Sequence, residues 1–113
     1  MSEKLYSDYI EDIIKSAELI IDFTKDVDFA SFSKDLKTRY AVIRCFEVMG
    51  EAAKRIPDEI RNKYPAIPWK IISAMRDRLI HGYDVVDDSV LWKTVVIDLP
   101  ELLQNLKKIC YKE

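Results

Sequence analysis

Glycine and proline are scarce: the 113-residue chain has two of the first and four of the second. Strands and hairpins need turn chemistry every few residues, so this scarcity argues against a β-rich fold and for long helices. Histidine occurs once, and cysteine only at Cys45 and Cys110. One imidazole and two distant thiols do not make a tetrahedral cage, which sets a zinc site aside. In a reducing compartment the two cysteines read as small buried hydrophobes. No apolar run approaches the length of a membrane span. The opening MSEKLYSDYIEDI carries acids where a signal peptide would carry an apolar stretch. The expectation is a cytoplasmic protein without a membrane partner.

With 49% hydrophobic and 34% charged residues, the chain has the material for a core and lacks the signature of disorder. Its length fits one domain over residues 1–113 and is too short for two. The net charge of −2 is unevenly spread. Residues 1–29 hold three basic and eight acidic side chains, residues 30–83 eleven and six, and residues 84–113 four and six. A polyanion would therefore meet a basic groove only in the middle third, although a solvated helix surface explains that balance equally well.

Apolar periodicity predicts four main helices. The first runs from about Leu5 to Lys25, with Tyr6, Tyr9, Ile10, Ile13, Ile14, Ala17, Ile20 and Ile21 as its stripe. The second begins near Ser33, read as its N-cap with Asp35 in the first turn, and ends at Ile56 before Pro57. Tyr40, Ile43, Phe46, Met49 and Ala53 give its buried side, and Gly50, Ala52 and Ala53 are small enough for another helix to approach closely. Glu47 and Glu51 lie one turn apart near that stripe, a spacing that suits catalysis or metal binding but more often marks partners for arginines. Residues 57–67 read as a short helix and a turn. Pro68 then opens a third helix, with Trp69, Ile72, Met75 and Leu79 inward and Gly82 at its end. The last helix starts after Asp87–Asp88 and runs to about Cys110 on Leu91, Val95, Leu99, Leu102, Leu106 and Ile109, with a kink or division at Pro100. Four to five helices with short connections predict an all-α antiparallel bundle, and such long apolar faces leave surface for a dimer partner.

The single histidine lies in Arg76-Asp77-Arg78-Leu79-Ile80-His81-Gly82-Tyr83. Residues four apart share a helix face, so Asp77 can reach the His81 imidazole and favour its protonated form, as does the nearby helix C-terminus. Arg76, five residues earlier, can wrap its long fork toward the same end, with Arg78 and Tyr83 beside it. A guanidinium and an imidazole suit phosphodiester cleavage without a metal or other cofactor. Histidine moves protons near neutral pH, and arginine holds phosphate bidentately. A histidine capping a helix, with arginines paired to neighbouring carboxylates, would give the same sequence.

The run Arg76-x4-His81-x-Tyr83 resembles the Arg-x(4–6)-His motif of HEPN domains, in the extended form of HepT-like toxins. Arg44-x-x-Glu47-x-x-Gly50-Glu51-Ala52-Ala53 resembles that family's second-helix block, and the segment from Trp69 to Tyr83 its active-site helix. The resemblance implies a homodimeric HEPN-like bundle and a metal-independent endoribonuclease toxin acting on RNA. Arg76 and His81 would be its catalytic pair, in a cleft drawing on both copies, with Asp77 and Arg78 supporting and orienting them. It further implies that an MntA-like minimal nucleotidyltransferase antitoxin silences the toxin by transferring AMP to Tyr83, where a bulky anion would fill the phosphate site. Family members often carry asparagine where this chain has Asp77, whose negative charge stands beside the phosphate site. The alternative within the same resemblance is an inactive helical partner, or binding module, of the nucleotidyltransferase.

Overall fold

The computed structural model describes residues 5–81 and 87–109, with side chains up to Asp77 in the segment that ends at His81. Among these, every regular element is helical: α1 (Tyr6–Phe23), α2 (Phe29–Lys34), α3 (Leu36–Lys54), α4 (Asp58–Lys63), α5 (Trp69–His81), α6 (Asp88–Lys93), a π-helical turn (Thr94–Asp98) and α7 (Leu99–Lys107). This is an all-α bundle. None of the described helices is long and apolar enough to cross a membrane.

Helix α3 is the centre, packed against α1 on one side and α5 on the other, while α7 closes over α1. That double contact explains its composition. Val42, Ile43, Phe46, Met49, Ala52 and Ala53 are all buried, so α3 hides a wider arc than one stripe requires. From α1 the fully buried residues are Ile10, Ile13, Ala17 and Ile20, spaced by three or four. Leu91, Val95, Leu99, Leu106 and Ile109 complete the core from the C-terminal segment.

Aspartates cap three of the helix starts. Asp28 accepts from the Ser31 amide (2.8 Å), Asp35 from the Thr38 amide (3.2 Å), and Asp87 from the Ser89 amide (2.8 Å). Hydrogen bonds from Ser31, Thr38 and Ser89 hold the three carboxyls below the usual carboxylate value. Arg61 works at the opposite pole, its guanidinium donating to the carbonyls of Ala53 (2.7 Å) and Ile56 (3.0 Å) at the end of α3.

The structure corrects several expectations. Ser33 is not the cap of α3. It lies within α2, where its hydroxyl donates to the Ala30 carbonyl (3.1 Å), and Asp35 is the cap. The cause is the FASFSK segment, whose own cap at Asp28 lets it form a turn of helix that drives Phe32 into the core against Trp92 (ring centroids 4.9 Å apart). Arg39 of α3 bonds Asp88 of α6 beside this aromatic contact. Tyr40 and Ile21, expected inside, are exposed at 57% and 36%, because the packed arcs of α3 and α1 do not reach them. Pro68 stands just before α5 rather than within it, its carbonyl accepting from the Ile72 amide (3.0 Å). The expected division of the last helix occurs, but it starts upstream of Pro100. The Leu99 amide bonds Thr94 five residues back, and Pro100 sits in the first turn of α7. Cys45 is buried, which pushes its thiol pKa up, while Cys110 lies outside the described residues.

Candidate active site

Helix α5 carries the motif, and its attitude is fixed at its start. Trp69 is buried and donates its indole N–H to the Tyr64 carbonyl (3.1 Å), and Ile72 is buried one turn on. A residue four positions after Ile72 faces the same neighbour, α3, and that residue is Arg76. The two helices meet at Gly50. A β-carbon built there would stand 2.1 Å from the Arg76 Cβ and 2.9 Å from the Ile72 carbonyl oxygen. The arginine stem therefore crosses α3 where α3 has no side chain.

Beyond that crossing, the guanidinium enters a set of paired charges. Nη2 of Arg76 lies 3.2 Å from Oε2 of Glu51, and Nη1 lies 3.3 Å from Oδ1 of Asp77. Each carboxylate also holds a cation from the end of α3. Arg55 Nη2 donates to Oε1 of Glu51 at 2.9 Å, and Lys54 Nζ to Oδ1 of Asp77 at 2.5 Å. The Arg55 bond and then the Arg76 charge hold the Glu51 carboxyl below its ordinary pKa. Lys54 first, by hydrogen bond and charge, and then Arg76 do the same for Asp77. Both acids are therefore ionised at neutral pH, and Glu51 in turn raises the Arg55 pKa.

The guanidinium opens onto a cleft of about 410 Å³ between α1, α3 and α5, whose polar lining includes Tyr9, Arg44, Glu47, Glu51, Arg55 and Arg76. The Arg76 side chain is 28% exposed, with its stem packed over Gly50. A larger and more apolar cavity, about 500 Å³, lies between α5 and α7 over Phe46 and Met49. No arginine or histidine is among its described lining residues.

Of the residues singled out in the sequence, Arg76 and Asp77 are thus brought together. The side chains of Arg78 and His81, and the whole of Tyr83, lie outside the described residues. The backbone of His81 ends α5, five positions after Arg76, which is about 7.5 Å along the axis and roughly 140° around it. Asp77, expected to serve the imidazole, accepts at Oδ1 from Lys54 and Arg76. The expectation that Glu47 and Glu51 partner arginines holds, with Arg44 Nη1 3.4 Å from Glu47. Arg55 and Lys54 were not read from the sequence. The four-residue step from Glu51 to Arg55 was available as a signal. The Lys54–Asp77 contact, spanning 23 residues, was not.

Chemically, the cleft sets three arginines, Arg44, Arg55 and Arg76, among three carboxylates, Asp12, Glu47 and Glu51. Arg76 supplies a planar fork with N–H groups at its rim, and two arginines stand close by. Among the described residues no cluster of histidine, cysteine, aspartate or glutamate is arranged to hold a metal ion.

Comparisons with known proteins agree with one another. The profile of a family described as "Ribonuclease HepT-like" matches residues 13–109. A probable ribonuclease HepT of Thermococcus cleftensis is 46% identical over 107 residues, covering 95% of this chain and 97% of that protein. A putative RNase of Methanocaldococcus jannaschii is also 46% identical, over 89% of this chain and 87% of its own. A putative RNase of Caldanaerobacter subterraneus is 40% identical over 93% of this chain and 94% of its own. No solved structure matches the chain.

Proposed function

The chain belongs to the HepT-like ribonuclease family, and from that membership we propose that it is a cytoplasmic endoribonuclease toxin. It cleaves RNA without a metal ion, using Arg76 and His81 in a cleft completed by a second copy of this single-domain chain. The observation that carries this reading is the Arg76 guanidinium, ion-paired with Glu51, hydrogen-bonded to Asp77 and lining a cleft, on the helix that ends at His81.

In the proposed reaction Arg76 binds the non-bridging oxygens of one phosphodiester and neutralises the charge that grows on them in the transition state. The RNA 2′-oxygen attacks the adjacent phosphorus and loses its proton, the bond to the 5′-oxygen breaks, and that oxygen gains a proton. Imidazole does this work near neutral pH, as base for the first transfer or acid for the second. Two copies of the motif in one cleft would supply a histidine for each.

Tyr83, two residues after His81, is the proposed point of control. A minimal nucleotidyltransferase partner would transfer AMP from ATP to its phenol oxygen, which loses its proton as the bond to the α-phosphorus forms and pyrophosphate leaves. The added phosphate would then compete with RNA for the arginine.

The test is RNA cleavage by the purified, unmodified protein in chelator, beside Arg76→Ala and His81→Ala proteins shown to be folded. The parent should cut and neither variant should. Activity that vanishes with chelator and returns with magnesium would overturn the metal-free mechanism. A parent with unmodified Tyr83 that leaves several RNA types intact would instead be a partner module of the nucleotidyltransferase.

A further inference from the structure

We infer that Glu51 is a positioning residue for Arg76: two successive residues of α3 fix the arginine at both ends, Gly50 at its root and Glu51 at its guanidinium. This deepens the ribonuclease reading and rests on it for its functional consequence, though not for its geometry.

The root is fixed by exclusion. The Arg76 Cβ and Cγ occupy the space that a side chain at position 50 would fill, and Ile72 brings its carbonyl to the same spot. The stem thus leaves α5 against bare helix backbone and has few directions open to it. The next residue along α3 then meets the head, Oε2 of Glu51 lying 3.2 Å from Nη2. A lone exposed carboxylate would be a loose holder, since its own side chain rotates freely. This one is pinned from its other oxygen by Arg55, one helical turn onward, at 2.9 Å. On the second nitrogen the pattern repeats, with Asp77 taking Nη1 while Lys54 holds Asp77. Neighbouring cations at the end of α3 thus anchor the two acids that meet Arg76.

Such a grip does not consume the arginine. Each terminal nitrogen carries two N–H groups, and Asp77 takes only one of those on Nη1, so N–H groups remain for a phosphate oxygen. What the acids supply is orientation before substrate arrives, with the ordering of a long side chain already complete. They also place negative charge beside the anion site, which weakens ground-state binding. Orientation and affinity are therefore set against each other at Glu51, and its removal should separate them.

The experiment compares the parent with Glu51→Ala and Glu51→Gln in single-substrate RNA cleavage, with thermal midpoints recorded for each. Glu51→Ala should lower kcat on the order of 10- to 100-fold, the scale of a misplaced reacting group, while KM stays level or falls. Glu51→Gln, which retains an acceptor for the guanidinium, should recover most of kcat. A merely structural residue would shift the midpoint without dividing kcat from KM. An unchanged kcat would overturn the inference, and so would a higher one, which would make Glu51 a competitor of the substrate.

A second measurement needs no activity. In guanidinium-detected NMR, the Arg76 Nη protons of the parent should be resolved by restricted rotation, and in Glu51→Ala they should average. If they already average in the parent, positioning by Glu51 is refuted, whatever the protein cleaves. If they are resolved and the parent cleaves nothing, it is the ribonuclease reading that fails.

Discussion

Replacing Gly50 by alanine sets two physical effects against each other with opposite signs. In an exposed helix, alanine is the better residue by about 0.8–1.0 kcal/mol, so the change alone would raise stability. Here the new methyl would stand 2.1 Å from the Arg76 Cβ and 2.9 Å from both the Arg76 Cγ and the Ile72 carbonyl oxygen. Carbon atoms rest at about 3.5–4.0 Å, so α5 has to withdraw by roughly 1.5 Å. The obstructing atoms are a Cβ and a main-chain oxygen, and neither can swing aside. Overpacking of this kind costs about 1–3 kcal/mol, and the rigidity of the neighbours puts Gly50→Ala near the upper end. Against the propensity gain, a net loss of about 2 kcal/mol remains. For a chain of this size that is a fall in the thermal midpoint of roughly 10 °C. The same withdrawal moves the Arg76 head away from Glu51, so RNA cleavage should drop on the order of 100-fold. Thermal unfolding followed by circular dichroism, with cleavage assayed well below the midpoint, reads both. A midpoint that rises by several degrees with cleavage unchanged would refute the close-packed crossing and all that is built upon it.

Two further outcomes follow from the core and the caps. Phe32→Ala removes a fully buried ring that stacks at 4.9 Å on Trp92, and should destabilise by about 3–5 kcal/mol in denaturant titration; a loss below about 1 kcal/mol would show that α2 does not anchor the fold. Asp28, Asp35 and Asp87 each have a pKa held below the ordinary 3.8 by bonds from Ser31, Thr38 and Ser89. A depressed folded-state pKa adds stability that is complete above the unfolded value and is lost as pH falls through the folded one. The thermal midpoint should accordingly be level between about pH 5 and 7 as far as these groups are concerned, and decline once pH passes below 3.8, a window that Asp77 shares, while that of Glu51 opens below its ordinary 4.5. A midpoint that holds or rises on acidification below that value would contradict the capping roles.

Much of the fold was legible because helix periodicity is a local signal. Ile10, Ile13, Ala17 and Ile20 of the α1 stripe, and Leu91, Val95, Leu99 and Leu106, lie buried as the apolar pattern predicts. What local pattern cannot show is how many neighbours a helix has. Tyr40 sits at a stripe position and is exposed because the second helix begins before α1 and α5 reach it, while Val42 and Cys45 are buried because α3 has partners on two sides. The short α2 was missed because FASFSK is too brief to display a period, although Asp28 and Ser31 carried its cap. At the candidate site, the smallness of Gly50 and the leaning of Glu51 toward arginines were readable. Arg55 was within reach as a four-residue step, but Arg76 was not, since only tertiary contact joins residue 51 to residue 76 and residue 54 to residue 77.

The π-helical turn at Thr94–Asp98 has a consequence for how this segment is compared with its relatives. Leu91, Val95 and Leu99 follow one another at steps of four, and on an uninterrupted α-helix each such step would drift by about 40° around the axis. The wider loop closed by the Leu99 amide on Thr94 absorbs that drift, so all three stay buried before Leu106 and Ile109 continue the α pattern. The last segment is in effect indexed twice, once before the turn and once after it. A homologue lacking one residue there would keep both halves recognisable while losing the phase between them. A face assigned by counting through residues 94–98 would then be wrong by about a quarter turn.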